Sequence, residues 1–165
     1  MARRVFFSFH YKYVWKVNQI RSMPNIIGTA AAGFQDASLW EAAKKKGDKT
    51  IKGMIDKGLE NTSVTVVCVT YGTISRKYIN YEIDQSLKRG NGLVGIKIHH
   101  LKDKAGNTGL PGKIPPQIEA NGFKVYKYTT KEKLAEWIEE AAQKAEKKRA
   151  TRRALLSYIL RRKRS

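Results

Sequence analysis

Val64-Thr-Val-Val-Cys-Val-Thr70, followed by Ser75-Arg-Lys-Tyr-Ile-Asn-Tyr-Glu-Ile-Asp-Gln-Ser-Leu87, decides how this chain is read. The first run is apolar without alternation and rich in branched side chains, the pattern of a strand covered on both faces. In the second, Ile79, Ile83 and Leu87 recur every four residues and form one stripe of a helix that ends at Gly90-Asn91. Glu82 stands three residues after Ile79, at the margin of that stripe, with Tyr78 on a neighbouring face. A carboxylate at such a margin is partly desolvated yet can reach a ligand, which suits a catalytic role. The plainer alternative is a surface glutamate near Arg76 or Arg89.

Working outward, Arg4-Val-Phe-Phe-Ser-Phe9 reads as a covered first strand. Val14, Val17 and Ile20 give partial helical spacing after it, ended by Met23-Pro24. The segment Gly28 to Trp40 predicts a short strand and a loop. Asp48 is expected to cap a helix with Ile51, Met54, Ile55 and Leu59 on its inner face. Gly92-Leu-Val-Gly-Ile-Lys-Ile98 is another apolar strand. His99 to Asn121 reads as loop because of its glycines and prolines. Gly122 to Tyr128 alternates as a last, more exposed strand. Thr129 and Glu132 fit a capping box for a final helix carrying Leu134, Trp137, Ile138, Ala141 and Ala145. Strands and helices thus alternate, which implies an α/β, flavodoxin-like three-layer fold: a central parallel sheet of about five strands. Ligands in such folds bind beyond the carboxyl ends of the strands, at a topological switch point.

The chain has 165 residues, 33 Lys+Arg against 14 Asp+Glu, and a formal net charge of +19. A basic extension, residues 148–165, follows a domain over residues 1–147. From Lys144 to Ser165 there are ten basic residues and one acidic residue, so this end contributes +9 of the total. It contains the apolar group Leu155, Leu156, Ile159 and Leu160. It reads as a helical extension or a flexible tail that solubilises, binds a polyanion or anionic lipid, or docks on a protein. Cys68 is the one cysteine, which fits a small buried thiol. The opening apolar run is too short for a signal peptide and no stretch is apolar enough to span a bilayer, so a soluble, cytoplasmic protein is expected.

Several motifs are set aside on context. Gly90-Asn-Gly-Leu-Val-Gly95 spells G-x-G-x-x-G, but a helix precedes it and a strand follows, the reverse of a dinucleotide fingerprint. Three histidines, two of them adjacent, make a metal site improbable. Ser8 has only His10 as a nearby base and no oxyanion motif, which argues against a serine hydrolase. Tyr11, Tyr13 and Trp15 interleaved with Lys12 and Lys16 could stack bases, or could be a helix face with snorkelling lysines.

Two stretches carry a resemblance. Arg4-Val-Phe-Phe-Ser-Phe-His-Tyr11 resembles the opening strand of TIR-like domains. Ser75-Arg-Lys-Tyr-Ile-Asn-Tyr-Glu-Ile83 resembles the TIR segment in which a serine, an aromatic residue and a glutamate open a helix after the third strand. With Phe34-Gln-Asp-Ala-Ser-Leu-Trp-Glu41 and Asn61-Thr-Ser-Val-Thr65, the pattern is similar to the TIR-like proteins of bacterial Thoeris anti-phage systems. It covers roughly residues 3 to 105, and the strand–helix order continues it to about residue 147; the basic tail lies outside it.

This resemblance implies an enzyme that consumes NAD as substrate, with no further cofactor. It cleaves the nicotinamide–ribose bond, as a glycohydrolase or cyclase, and makes a cyclic ADP-ribose-type signal that activates a separate effector protein. Members are poorly active until infection triggers them, and a neighbouring chain often completes the site. The resemblance makes Glu82 catalytic. Ser8, Phe9, His10, Tyr11, Trp40 and Tyr78 are the expected substrate-binding residues. The alternatives are a non-catalytic TIR-like scaffold, for which a carboxylate at position 82 is unnecessary, and a basic nucleic-acid binder led by the tail.

Overall fold

Two uninterrupted apolar runs form the centre of the sheet. A computed structural model describes residues 2–30 and 37–164. Strand β1 (Arg3–Ser8) lies beside β3 (Val64–Val69), and every residue of β3 is buried. β2 (Ile26–Thr29) flanks β1, while β4 (Gly92–Lys97) and β5 (Val125–Lys127) continue on the other side. All pairings are parallel, in the order β2-β1-β3-β4-β5. This is the expected five-stranded flavodoxin-like sheet. The connections turn one way from β1 to β2 and the other way from β3 onward, so the switch point falls between β1 and β3.

The helices are α1 (Val14–Asn18), α2 (Ala37–Lys46), α3 (Asp48–Leu59), α4 (Lys77–Lys88), α5 (Pro116–Ala120) and α6 (Lys131–Arg164). Alternation along the strands assigns them to faces. Thr65 of β3 hydrogen-bonds Ser86 of α4 at 2.6 Å, so its face carries α4. Thr65 pairs with Leu93, and Gly95, two residues on, approaches Ile118 of α5 on that same face. Gly92, three residues before Gly95, faces the other way and meets the backbone of Ala141 in α6. The layers are therefore α4 and α5, sheet, and α6.

Several local expectations are corrected. Residues 37–40, expected as loop, are the start of the helix Ala37–Lys46, while residues 31–36 of the Gly28–Trp40 segment, with part of the Phe34–Glu41 motif, lie outside the described residues. Lys-rich α2 has little apolar periodicity, so its helical character is weakly written. Gly47, not Asp48, is the N-cap of α3, and Asp48 begins the helix. Thr130, not Thr129, accepts the amide of Lys133 at 3.1 Å as the cap of α6. Pro116 at the start of α5 makes a single helical turn inside the expected loop. Gly90 has φ +78°, which confirms that the glycine triplet begins with a helix C-cap rather than a phosphate loop. Helix α6 runs without a break to Arg164, so the basic tail is a helical extension. No helix among the described residues is long and apolar enough to cross a membrane.

Gly92 lets the sheet approach α6 closely, because an added Cβ would overlap the Ala141 carbonyl. Gly92→Ala is expected to destabilise the fold by about 1–3 kcal/mol through the backbone shift it forces. Urea unfolding checks this, and an unchanged midpoint would mean that α6 is not seated on β4 as described.

Candidate active site

The buried face of α4 is Ile79, Glu82, Ile83 and Ser86. It is rotated from the stripe expected from Ile79, Ile83 and Leu87, and Leu87 is only half-buried. Glu82 therefore lies at the centre of the helix–sheet contact, with 0% of its surface exposed. This corrects both the margin position and the surface alternative. Ser86, one turn on, donates to the Glu82 carbonyl at 2.6 Å, consistent with a small hydroxyl residue tolerated in a helix interior.

Ser8, the last residue of β1, donates its hydroxyl to Glu82 Oε2. Glu82 Oε1 has no hydrogen-bond partner among the described residues. Burial pushes the carboxyl up to about 8, with no ion pair to it among the described residues, and the Ser8 hydrogen bond opposes that rise. The same environment raises the buried Cys68 thiol, first through desolvation and then through the Glu82 charge. The acid is thus neutral at rest, and one of its oxygens is unsatisfied.

Above this pair, at the carboxyl ends of β1 and β3, opens a cleft of about 260 Å³. Phe9, His10, Trp40, Tyr78 and Ile79 line it together with Lys44, Ser75, Arg76 and Lys77. Phe9 follows Ser8 directly, and Ile79 precedes Glu82 by one helical turn. These two line the cleft, whereas their sequence neighbours Ser8 and Glu82 are fully buried and do not reach its surface. Of the expected substrate-binding residues, Phe9, His10, Trp40 and Tyr78 thus meet at the cleft, while Ser8 lies beneath it. Tyr11 stands beside it, its ring centroid 6.1 Å from Trp40 and 4.7 Å from His10. Trp40 and Tyr78 pack edge to face at 5.8 Å. Phe9 and Trp40 expose only 1% and 4% of their surface, so the stacking faces available are those of Tyr11, Tyr78 and His10.

The cleft is electropositive. Arg76 makes no ion pair among the described residues, while Lys44 bonds Glu41 at 3.2 Å and Lys77 bonds Asp48 at 2.8 Å. Desolvation first, then Arg76, Lys12 and Lys44, lower His10 to about 4, so its ring is neutral at physiological pH. His10 Nδ1 accepts the amide of Lys12 at 3.3 Å and does not pair with Ser8. Asp48 holds the Tyr78 hydroxyl at 3.0 Å and bonds Lys52 at 3.1 Å. Its bonds to Lys77, Lys52 and Tyr78 lower its carboxyl to about 2. The meeting of Lys44 with Arg76 and Lys77 at one cleft escaped the sequence reading, because they come from two separate segments; Asp48 is joined to the cleft through its bonds to Lys77 and Tyr78. Lys16, expected to snorkel, is instead buried and donates to the His99 carbonyl at 3.0 Å. No group of three or more metal-ligating side chains occurs among the described residues.

Known proteins match this chain. The model of the family described as Thoeris protein ThsB, TIR-like domain, matches residues 6–103. A Bacillus cereus (strain MSX-D12) protein carrying the name "Putative cyclic ADP-D-ribose synthase ThsB1" is 47% identical over 118 residues. The matched part is 70% of this chain and spans 62% of that relative's length.

The buried acid predicts an inverse dependence of stability on pH. Folded Glu82 keeps its proton to about pH 8, whereas the unfolded chain releases it near the ordinary value of 4.5. Its contribution is complete below pH 4.5 and is lost as pH rises through 8. Glu82→Gln carries no such proton. From pH 5 to pH 8 the wild type is expected to lose on the order of 3 kcal/mol relative to this variant in urea unfolding. Parallel pH profiles for the two proteins would refute a neutral buried acid.

Proposed function

The chain belongs to the Thoeris ThsB TIR-like family, and from that premise we propose that it cleaves the nicotinamide–ribose bond of NAD and closes the remainder into a cyclic ADP-ribose isomer. The observation that carries the reading is the desolvated Glu82, held by Ser8 directly beneath an electropositive cleft at the switch point. The name of the Bacillus cereus relative supports the cyclic product. A scaffold has no use for a buried carboxyl with one oxygen unsatisfied, which costs stability wherever it does no chemistry.

Arg76 and Lys44 attract the pyrophosphate. Tyr11, Tyr78 and neutral His10 offer faces and hydrogen bonds to the rings. The floor of Phe9 and Ile79 parts so that Glu82 meets the ribose. The positive pyridinium then favours the ionised carboxyl, so binding releases a proton. As the glycosidic bond breaks, its electron pair passes to the nicotinamide nitrogen and leaves an oxocarbenium-like ribose. The Glu82 carboxylate stabilises that charge and accepts a hydrogen bond from a ribose hydroxyl. A hydroxyl of the same ADP-ribose attacks the anomeric carbon and loses its proton. The products are cyclic nucleotide, nicotinamide and one proton. Attack by water instead would give plain ADP-ribose, so the dry floor selects the ring closure. The product then acts on a separate effector protein.

Purified protein incubated with NAD, with and without extract of infected cells, tests the reading by mass analysis of nicotinamide and cyclic nucleotide. Glu82→Gln is expected to lower turnover at least about a hundredfold. Equal nicotinamide release by both proteins would sink the assignment. The rate profile supplies a second check. The pH limb of kcat/KM should rise through about 8, and that of kcat should lie lower because bound substrate favours the ionised acid. Ser8→Ala removes the hydrogen bond that lowers Glu82, so both limbs should move to higher pH. An unmoved profile would leave Ser8 without a part in positioning the acid.

A further inference from the structure

At the opposite end of the sheet from the cleft, helix α6 outruns the domain. Its buried residues end at Ala145, and from Ala150 to Arg164 every side chain is exposed. At 1.5 Å per residue this overhang is about 22 Å long. Its apolar side chains keep the phase of the packed part. Ile138 and Leu156 are eighteen residues apart, as are Ala141 and Ile159, which is five full helical turns. The face that upstream meets β4 thus continues into solvent, where Leu155, Leu156 and Ile159 expose 56%, 52% and 39% of their surface. Single exposed apolar residues are ordinary, but a phased group on a helix without tertiary cover is not.

Where the overhang leaves the domain, it forms one wall of a groove of about 710 Å³. Leu87, Phe123, Ala145 and Leu155 give this groove an apolar lining. The cations around it divide into two sets. Lys148 donates to the Asn121 carbonyl at 2.7 Å, and Lys144 and Arg149 cap the carbonyls of Gly122 and Gly90. Lys147 and Arg152 line the same groove and make no ion pair among the described residues.

We infer that the groove and the overhanging face of α6 bind an acidic amphipathic helix of a partner protein. The charge decides among occupants. A second copy would bring +9 against +9 at the same place, a repulsion that only high salt relieves. An acidic partner supplies the missing charge, and its apolar face covers Leu155, Leu156 and Ile159. A flat lipid surface cannot enter a concave groove, and a phosphate backbone has no use for its apolar lining. This surface is remote from the cleft, so the inference stands apart from the proposed reaction.

The test uses the full chain and a fluorescent designed helix of about 20 residues, with leucine at i, i+3, i+4 and i+7 and glutamate elsewhere. A scrambled peptide of the same composition, a duplex DNA of similar length and phosphatidylserine vesicles are the other probes. The designed helix is expected to bind at least about tenfold more tightly than the scrambled one. The double variants Leu155→Ser with Leu156→Ser, and Lys147→Glu with Arg152→Glu, should each weaken it at least about tenfold. These positions are exposed or on the groove rim, and circular dichroism verifies that each variant keeps its helix content. Equal binding of designed and scrambled peptides overturns the proposal. So does tighter binding of DNA or of vesicles than of the designed helix, or self-association that the serine variants abolish.

Discussion

A carboxyl group enclosed between strand β1 and helix α4, with a hydroxyl as its one side-chain partner among the described residues, is the constraint around which this fold is built. Desolvating an acid without a cation opposes folding unless the acid stays protonated. The surroundings make that state tolerable. Ser8 satisfies one oxygen, and the Thr65–Ser86 hydroxyl pair continues the polar contact along the same interface at 2.6 Å. Both strands that contribute to it lie at the centre of the sheet, and α4 packs on β1, β3 and β4 together. The polar seam is thus held by central strands and a packed helix, not by loops.

How much of this was legible in the sequence depends on the kind of signal. Strands β1, β3 and β4 announce themselves, because a sheet covered on both faces needs uninterrupted apolar runs. The parallel order follows from the alternation of strands with helices. The depth of Glu82 was hidden by the same rule that found its helix. Counting only apolar residues, Ile79, Ile83 and Leu87 define a stripe and leave Glu82 at its edge. The real face is centred on Glu82 and Ser86, two polar residues that hydrophobic periodicity scores as solvent-facing. A face can be buried because its polar groups satisfy one another, and composition alone does not reveal that. The cleft cations were hidden for another reason. Lys44, Arg76 and Lys77 converge through topology, and spacing within one element says nothing of residues joined only by the sheet.

The excess of positive charge serves two distinct places. At the carboxyl rim, Arg76 and Lys44 line a small cleft and add to the desolvation that keeps His10 uncharged. At the opposite end, the cations of α6 first cap the carbonyls of Gly90, Asn121 and Gly122, and then continue along a helix that has left the domain. Arg149 and Lys148 illustrate the division. Their heads are spent on helix and loop carbonyls, a structural use of charge at helix C-termini. Lys147 and Arg152, next to them in sequence, are turned to the groove. A net charge of +19 is therefore not one property but the sum of fields with different neighbours.

The choice of a hydroxyl as partner for Glu82 bears directly on the proposed chemistry. Glycoside cleavage usually takes two carboxyl groups, one of which protonates a poor leaving group. A second acid in contact with Glu82 would raise its proton affinity further and keep it neutral when substrate arrives. Nicotinamide departs from a ring that is already cationic and needs no such proton. One carboxyl is then sufficient, provided that it can ionise on demand. Ser8 favours the charged form without adding charge of its own, and the substrate's pyridinium supplies the remaining bias. In the proposed reaction, burial keeps the acid neutral until that cation arrives, since desolvation raises the carboxyl to about 8. On that proposal, desolvation that would otherwise be a defect in packing makes the reactive state of the carboxyl conditional on the substrate itself.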